Sequence, residues 1–118
     1  MFTKVDKHSG IPAYVQIMNQ IKKEIMMGNI KQNDQLLTIR ELQVLFGVNI
    51  NTVTRSLEKL VNENILEAKH GVGFFVNSEC YVPSEVSEII KNTVKELKKH
   101  NINKETSLLL FEEVWDNE

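Results

Sequence analysis

The side chains best suited to chemistry in this 118-residue chain lie close together. Asn49, Asn51, Thr52, Thr54 and Arg55 place two amides, two hydroxyls and a guanidinium within one short stretch. Groups of these types exchange hydrogen bonds with base edges and phosphates, and none of them cleaves a covalent bond unaided. Thr38 and Arg40 stand upstream, and His70 and Gly71 downstream. No nucleophile has a base at a fixed offset, and there is no glycine-rich phosphate loop. His8, His70 and His100 are far apart, and the single Cys80 has no second Cys or His at ligand spacing. The expectation is therefore recognition by hydrogen bonding, with no enzyme activity, metal or cofactor.

Each of these residues also has a purely structural use. Arg40 has Glu41 and Glu67 as surface partners, and Arg55 has Glu58 three residues on along the same helix. Asn51 and Thr52 suit helix capping, and Gly71 and Gly73 suit a tight hairpin whatever its tip touches. Tyr14 and the Met18, Met26, Met27 group read as core or near-core. Cys80 reads as a linker residue without a basic neighbour to activate its thiol.

The elements that must position these groups are visible in the hydrophobic spacing. Tyr14, Ile17, Met18, Ile21 and Ile25 form one apolar stripe of a helix over Ile11–Met27, with Pro12 in its first turn and Gly28 ending it. Residues 29–35 form a polar loop with a turn at Asn33-Asp34. Thr38 and Glu41 make a capping box for a short helix whose buried side is Leu42, Leu45 and Phe46, with Gly47 as its stop. Val48 plugs the turn, and Asn49 caps a third helix over Ile50–Asn64 that buries Val53, Leu57, Leu60 and Val61. Two short helices joined this way have helix-turn-helix spacing. The period then changes, and residues 65–69 and 74–77 pair as strands across His70-Gly71-Val72-Gly73. The fold expected is mainly α with a small β-hairpin, a winged helix-turn-helix followed by two C-terminal helices.

Composition agrees with a globular chain, 42% apolar and 25% charged. The charge is unevenly divided. Residues 1–78 hold nine Lys or Arg against seven Asp or Glu, whereas residues 79–118 hold five against nine. No apolar run reaches the ~20 residues of a membrane span, and the first residues lack a basic-then-apolar signal pattern. A cytoplasmic protein with no membrane partner is expected.

The stretch Ile11–Val76 resembles the DNA-binding domain of the GntR family of bacterial regulators. The matching pieces are PAYVQI, GNIKQNDQL, TIREL, FGVNINTVTRSLEKL and NILEAKHGVGFFV, in that order. The resemblance implies a winged helix bound to double-stranded DNA, with contacts from Thr38, Arg40, Asn49, Asn51, Thr52, Thr54, Arg55, His70 and Gly71. Three places depart from the family pattern. Leu37-Thr38 replaces Pro-Ser, which keeps a hydroxyl. Ile50 replaces Arg or Pro, and its side chain can touch a thymine methyl but cannot hydrogen-bond a base. In the wing, His70 and Phe74 replace Arg and Thr, which weakens its hold on phosphate.

The residues after Ser78 are too few for the large effector domain usual in the family. They resemble the short helical tail of its YtrA-like subgroup, which implies dimerisation. Residues 1–78 are expected to bind DNA and residues 79–118 to dimerise. After a linker over Ser78–Val82, Ser84 is expected to cap a helix to His100 with the stripe Val86, Ile89, Ile90, Val94 and Leu97. Asn103 is expected to cap a last helix to Trp115. Its arc of Leu109, Leu110, Phe111 and Trp115 is too wide for one neighbouring helix to cover, so a homodimer through Ile90, Val94, Leu97 and this arc is expected. The reading is a sequence-specific DNA-binding regulator, a repressor acting as a homodimer on a two-fold operator. The alternative is a winged-helix protein-interaction module without DNA binding, which the near-neutral first part, Ile50 and His70 favour. No effector is specified.

Overall fold

Residues 1–118 are described by the computed structural model, in the order α1 (Ala13–Met26), α2 (Ile39–Phe46), α3 (Ile50–Asn62), β1 (Leu66–Lys69), β2 (Gly73–Val76), α4 (Val86–Lys99) and α5 (Lys104–Asn117). The chain divides into two compact units, Met1–Pro83 and Ser84–Glu118.

The core of the first unit forms where three amphipathic helices turn their stripes inward. α1 contributes Ile17, Met18, Ile21 and Ile25; α2 contributes Leu42 and Phe46; α3 contributes Val53, Leu57 and Leu60. α1 starts two residues later than its apolar pattern suggests, because Pro12 is its N-cap, with extended ψ, and not part of its first turn. Beyond Met26, Gly28 takes the left-handed φ of 80° that stops the helix. The capping box of α2 is complete: Thr38 Oγ1 accepts from the Glu41 N–H at 3.1 Å, and Glu41 Oε1 accepts from the Thr38 N–H at 2.9 Å. Leu45, expected inside, is 38% exposed, since a two-turn helix buries only the Leu42–Phe46 ridge. Asn49 caps α3 by accepting from the Thr52 N–H at 2.9 Å. That helix ends at Asn62, short of the expected Asn64, whose left-handed φ of 60° turns the chain toward the hairpin. Val61 is only partly buried.

The hairpin pairs Leu66 with Val76 and Lys69 with Gly73, so the first strand starts one residue later than expected and ends as expected, while the second is shifted by one residue toward the tip. Leu66 and Val76 are its buried residues. A further strand-like segment went unread in the sequence. Asn33 and Leu36 donate to the carbonyls of Val76 and Phe74, and Val76 donates to Asp34, so residues 33–36 flank β2 on its other edge.

The first dozen residues were also unread. They run as a strap along α1, tied by glutamine side chains: Gln20 exchanges two hydrogen bonds with the Thr3 backbone and Gln16 two with Asp6. Val5 is a buried plug whose N–H donates to the Phe46 carbonyl, and the Phe2 ring rests 5.1 Å from that of Phe46. The expected linker over Ser78–Val82 is part of this unit, because Cys80 and Val82 pack against its core.

In the second unit α4 begins at Val86 after a turn. Ser84 does not cap it; Glu85 occupies that position in helical conformation and makes no side-chain cap. Asn101, with φ of 59°, separates the two helices. α5 is capped as expected, Asn103 Oδ1 accepting from the Thr106 N–H at 2.8 Å, and it runs on past Trp115 to Asn117. Neither helix has a buried residue.

Candidate nucleic-acid interface

α3 is the central element of the first unit, touching α1, α2 and β1. Its outer side begins at the Asn49 cap, where unpaired N–H groups and the helix dipole favour a negative ligand. The expected site residues divide here by what their polar atoms already do. Asn49 is committed to capping, and its Oδ1 also accepts from the Thr52 hydroxyl at 3.0 Å. The Thr54 hydroxyl donates to the Ile50 carbonyl at 2.9 Å. Thr52 and Thr54 thus keep lone pairs for a ligand but no free donor. Asn51 is exposed, and its amide takes no part in the side-chain hydrogen bonds at the start of α3.

Arg55 does not pair with Glu58. Its guanidinium lies over the Tyr14 ring, 3.9 Å from the centroid, and Lys59 Nζ lies 5.4 Å from the same ring. Stacking leaves the N–H edge of the guanidinium open and holds it in one orientation. Tyr14 is itself fixed, half-buried against the core, and its carbonyl accepts from the buried Ser56 hydroxyl at 3.3 Å. Neither Tyr14 nor Lys59 was among the residues read as functional. The spacing of Arg55 and Lys59, one helical turn apart, was a usable signal for the second; nothing local connects Tyr14 to Arg55.

Arg40 is exposed on the first turn of α2 and forms no ion pair with Glu41 or Glu67. Thr38 is occupied in the capping box, where the Thr38 backbone N–H holds the Glu41 carboxyl below its ordinary value. The strap adds a cation unread in the sequence. The stem of Lys4 passes over Gly47 in the turn between α2 and α3, such that a Cβ there would meet Lys4 Cδ at 3.5 Å.

His70 and Gly71 are exposed at the hairpin tip, Gly71 with φ of 74°, and Val72 N–H closes the turn onto Lys69. The Gln35 amide braces the tip by donating to the Val72 carbonyl at 3.1 Å. Lys69 stacks its ammonium over Phe75 at 4.3 Å. The site residues therefore stand on α2, α3 and the hairpin of one unit. Cys80 lies apart from them, and burial pushes its thiol upward, away from the reactive thiolate. No helix is long and apolar enough to cross a membrane.

Three helices, the third capped and exposed at its start, followed by a braced hairpin, define a winged helix-turn-helix. Residues 13–76 match the family described as bacterial regulatory proteins, gntR family. The transcriptional repressor YtrA of Bacillus subtilis is 31% identical over 80% of this chain and 74% of its own length. The repressor MngR of Escherichia coli is 34% identical over 86% of this chain, which spans only 41% of that longer protein. Among solved structures, a transcriptional antiterminator from Listeria monocytogenes superposes with a TM-score of 0.64 at 28% identity, covering 97% of this chain and 89% of its own. YtrA from Sulfolobus acidocaldarius superposes with a TM-score of 0.58 at 26% identity, covering 97% of both chains. The AraR DNA-binding domain, solved in complex with operator ORX1, matches 64% of this chain and 92% of its own at 29% identity and a TM-score of 0.56. This chain belongs to the GntR family and resembles its YtrA members; it is a DNA-binding transcription regulator and not an enzyme.

Proposed function

We propose that the protein is a repressor that binds a two-fold operator as a homodimer in the cytoplasm, reading bases with the first turns of α3. The observation that carries this reading is the exposed start of α3, where Asn51 has a free amide and Arg55 is stacked but unpaired. In a helix-turn-helix this end of the helix enters the major groove, while the preceding helix crosses the backbone. Asn51 and Arg55 are assigned to bases, with Thr52 and Thr54 as acceptors beside them. Arg40, the Thr38–Asn49 cap region and the His70–Gly71 tip are assigned to phosphate or groove edges. The relatives named repressors support the direction of regulation.

Dimerisation is assigned to the second unit. Leu109 and Trp115 are 67% and 72% exposed, and Ile90, Val94, Leu110 and Phe111 are exposed beside them on the two helices; Leu97 is half-buried. So much apolar surface on a 35-residue helical pair is what a two-fold partner would cover. Genomic footprinting tests the whole reading. The expected result is protected sites with inverted-repeat half-sites about one helical turn apart. Asymmetric single half-sites, or no protection at all, would overturn it.

A further inference from the structure

The start of α3 is chemically unbalanced. Of the side chains on its first turn, Thr52 has its hydroxyl proton bound to Asn49, and one turn on Thr54 has its proton bound to the Ile50 carbonyl. Donors for base acceptors are then the amide N–H groups of Asn49, whose Oδ1 alone is used in capping, and of Asn51, with the Arg55 guanidinium one turn on. Between the Asn49 cap and Asn51 stands Ile50, 47% exposed, a branched hydrocarbon with no apolar neighbour sufficient to bury it. Val53, three residues on, points fully into the core, and Ile50 is not part of that core cluster.

In the major groove a base pair offers one apolar feature, the C5-methyl group of thymine. We infer that Ile50 is a specificity-determining residue that packs against a thymine methyl, so that each half-site carries an A·T pair opposite it. The partner of that thymine, or an adjacent adenine, then offers N6–H and N7 to the Asn51 amide. A guanine there would offer two acceptors, for which Ile50 has no donor. This inference rests on α3 being the reading helix, as proposed above.

The test compares thymine with uracil, which differ only by this methyl, in a duplex selected from a randomised pool by tight binding to the full-length protein. Each thymine of a half-site is replaced in turn. The expected result is a loss of roughly threefold to fivefold at one position per half-site, the worth of one buried methyl group. Ile50→Ala should bind the thymine duplex correspondingly more weakly and no longer distinguish uracil from thymine at that position, while melting like the parent because the side chain is outside the core. Wild-type protein that binds every uracil duplex as it binds thymine overturns the inference, and needs no folded variant. So does an Ile50→Ala protein that remains fully sensitive to the methyl. These outcomes leave the reading helix in place, provided that Asn51→Ala still weakens binding. A protein that enriches no duplex from the pool removes both.

Discussion

At the scale of single residues, the structure separates groups that are free to read from groups occupied in building the helix. Arg55 is the clearest case. Its sequence neighbour Glu58 offered an ion pair, but the side chain instead stacks on Tyr14. Preorganised this way, it loses less freedom on binding than a solvated arginine does. Arg55→Ala and Asn51→Ala are each expected to cost roughly 1–3 kcal/mol against the selected operator. Tyr14→Leu, with Arg55 intact, should weaken binding severalfold without lowering the melting temperature in proportion, and Tyr14→Phe should behave as wild type. Equal affinity for the Leu and Phe variants in a duplex titration would show that the stacking has no role in recognition. Arg40→Ala should weaken operator and unrelated DNA by the same factor and flatten the salt dependence by about one unit of slope, the signature of a lost phosphate contact. A loss limited to the operator would make Arg40 a base reader.

At the scale of elements, the caps decide where reading side chains end up. Thr38→Ala removes one half of the capping box and is expected to cost about 1 kcal/mol of stability, measured by denaturant unfolding. The same box gives a pH dependence of known sign. Since the folded protein holds the Glu41 carboxyl below its ordinary value, its contribution is present at neutral pH and is lost as the pH falls through that depressed value. Glu41→Gln, which removes the titrating group, should therefore resemble wild type more closely in acid than at pH 7; a difference that persists unchanged at low pH would argue against the box. These caps were legible in the sequence because each is a local device, one polar residue followed within three positions by the N–H it accepts. Thr38, Asn49 and Asn103 were all read correctly for that reason. Ser84 was misread because the residues after Pro83 form a turn first, and only Glu85 reaches the helix start. The strap and the 33–36 segment left no local trace, being held by Gln16, Gln20 and the free edge of β2 across long sequence separations. Polar site residues could be nominated from the sequence, but not sorted. Which hydroxyls are already engaged depends on rotamers, and the support of Arg55 by Tyr14 depends on packing between α1 and α3.

At the scale of the whole molecule, the modest positive charge lies in the part that carries α3 and the negative charge in the tail, in keeping with the proposed division into DNA binding and dimerisation. Removing residues 101–118 should leave a folded winged helix that runs as a monomer in light scattering and binds operator far more weakly. A truncated protein that stays a tight dimer sinks the assignment of α5 to the interface, and the full-length double variant Leu110→Asp/Phe111→Asp gives the same comparison with the backbone complete. Within the first unit, one amide sets a length. Gln35 leads into α2, the Gln35 side chain holds the Val72 carbonyl at the hairpin tip, and a Cβ on Gly73 would stand only 3.0 Å from that amide nitrogen. The tip is thus tied to the approach of the helices by this amide, and the body of β2 by the backbone of residues 33–36. On the contacts proposed above, α3 and the wing would act together as a caliper that measures the span of duplex between them. A half-site lengthened by one base pair between those contacts should lose the wing contact outright, and Gln35→Ala, which removes the brace, should make the protein more tolerant of that extra pair.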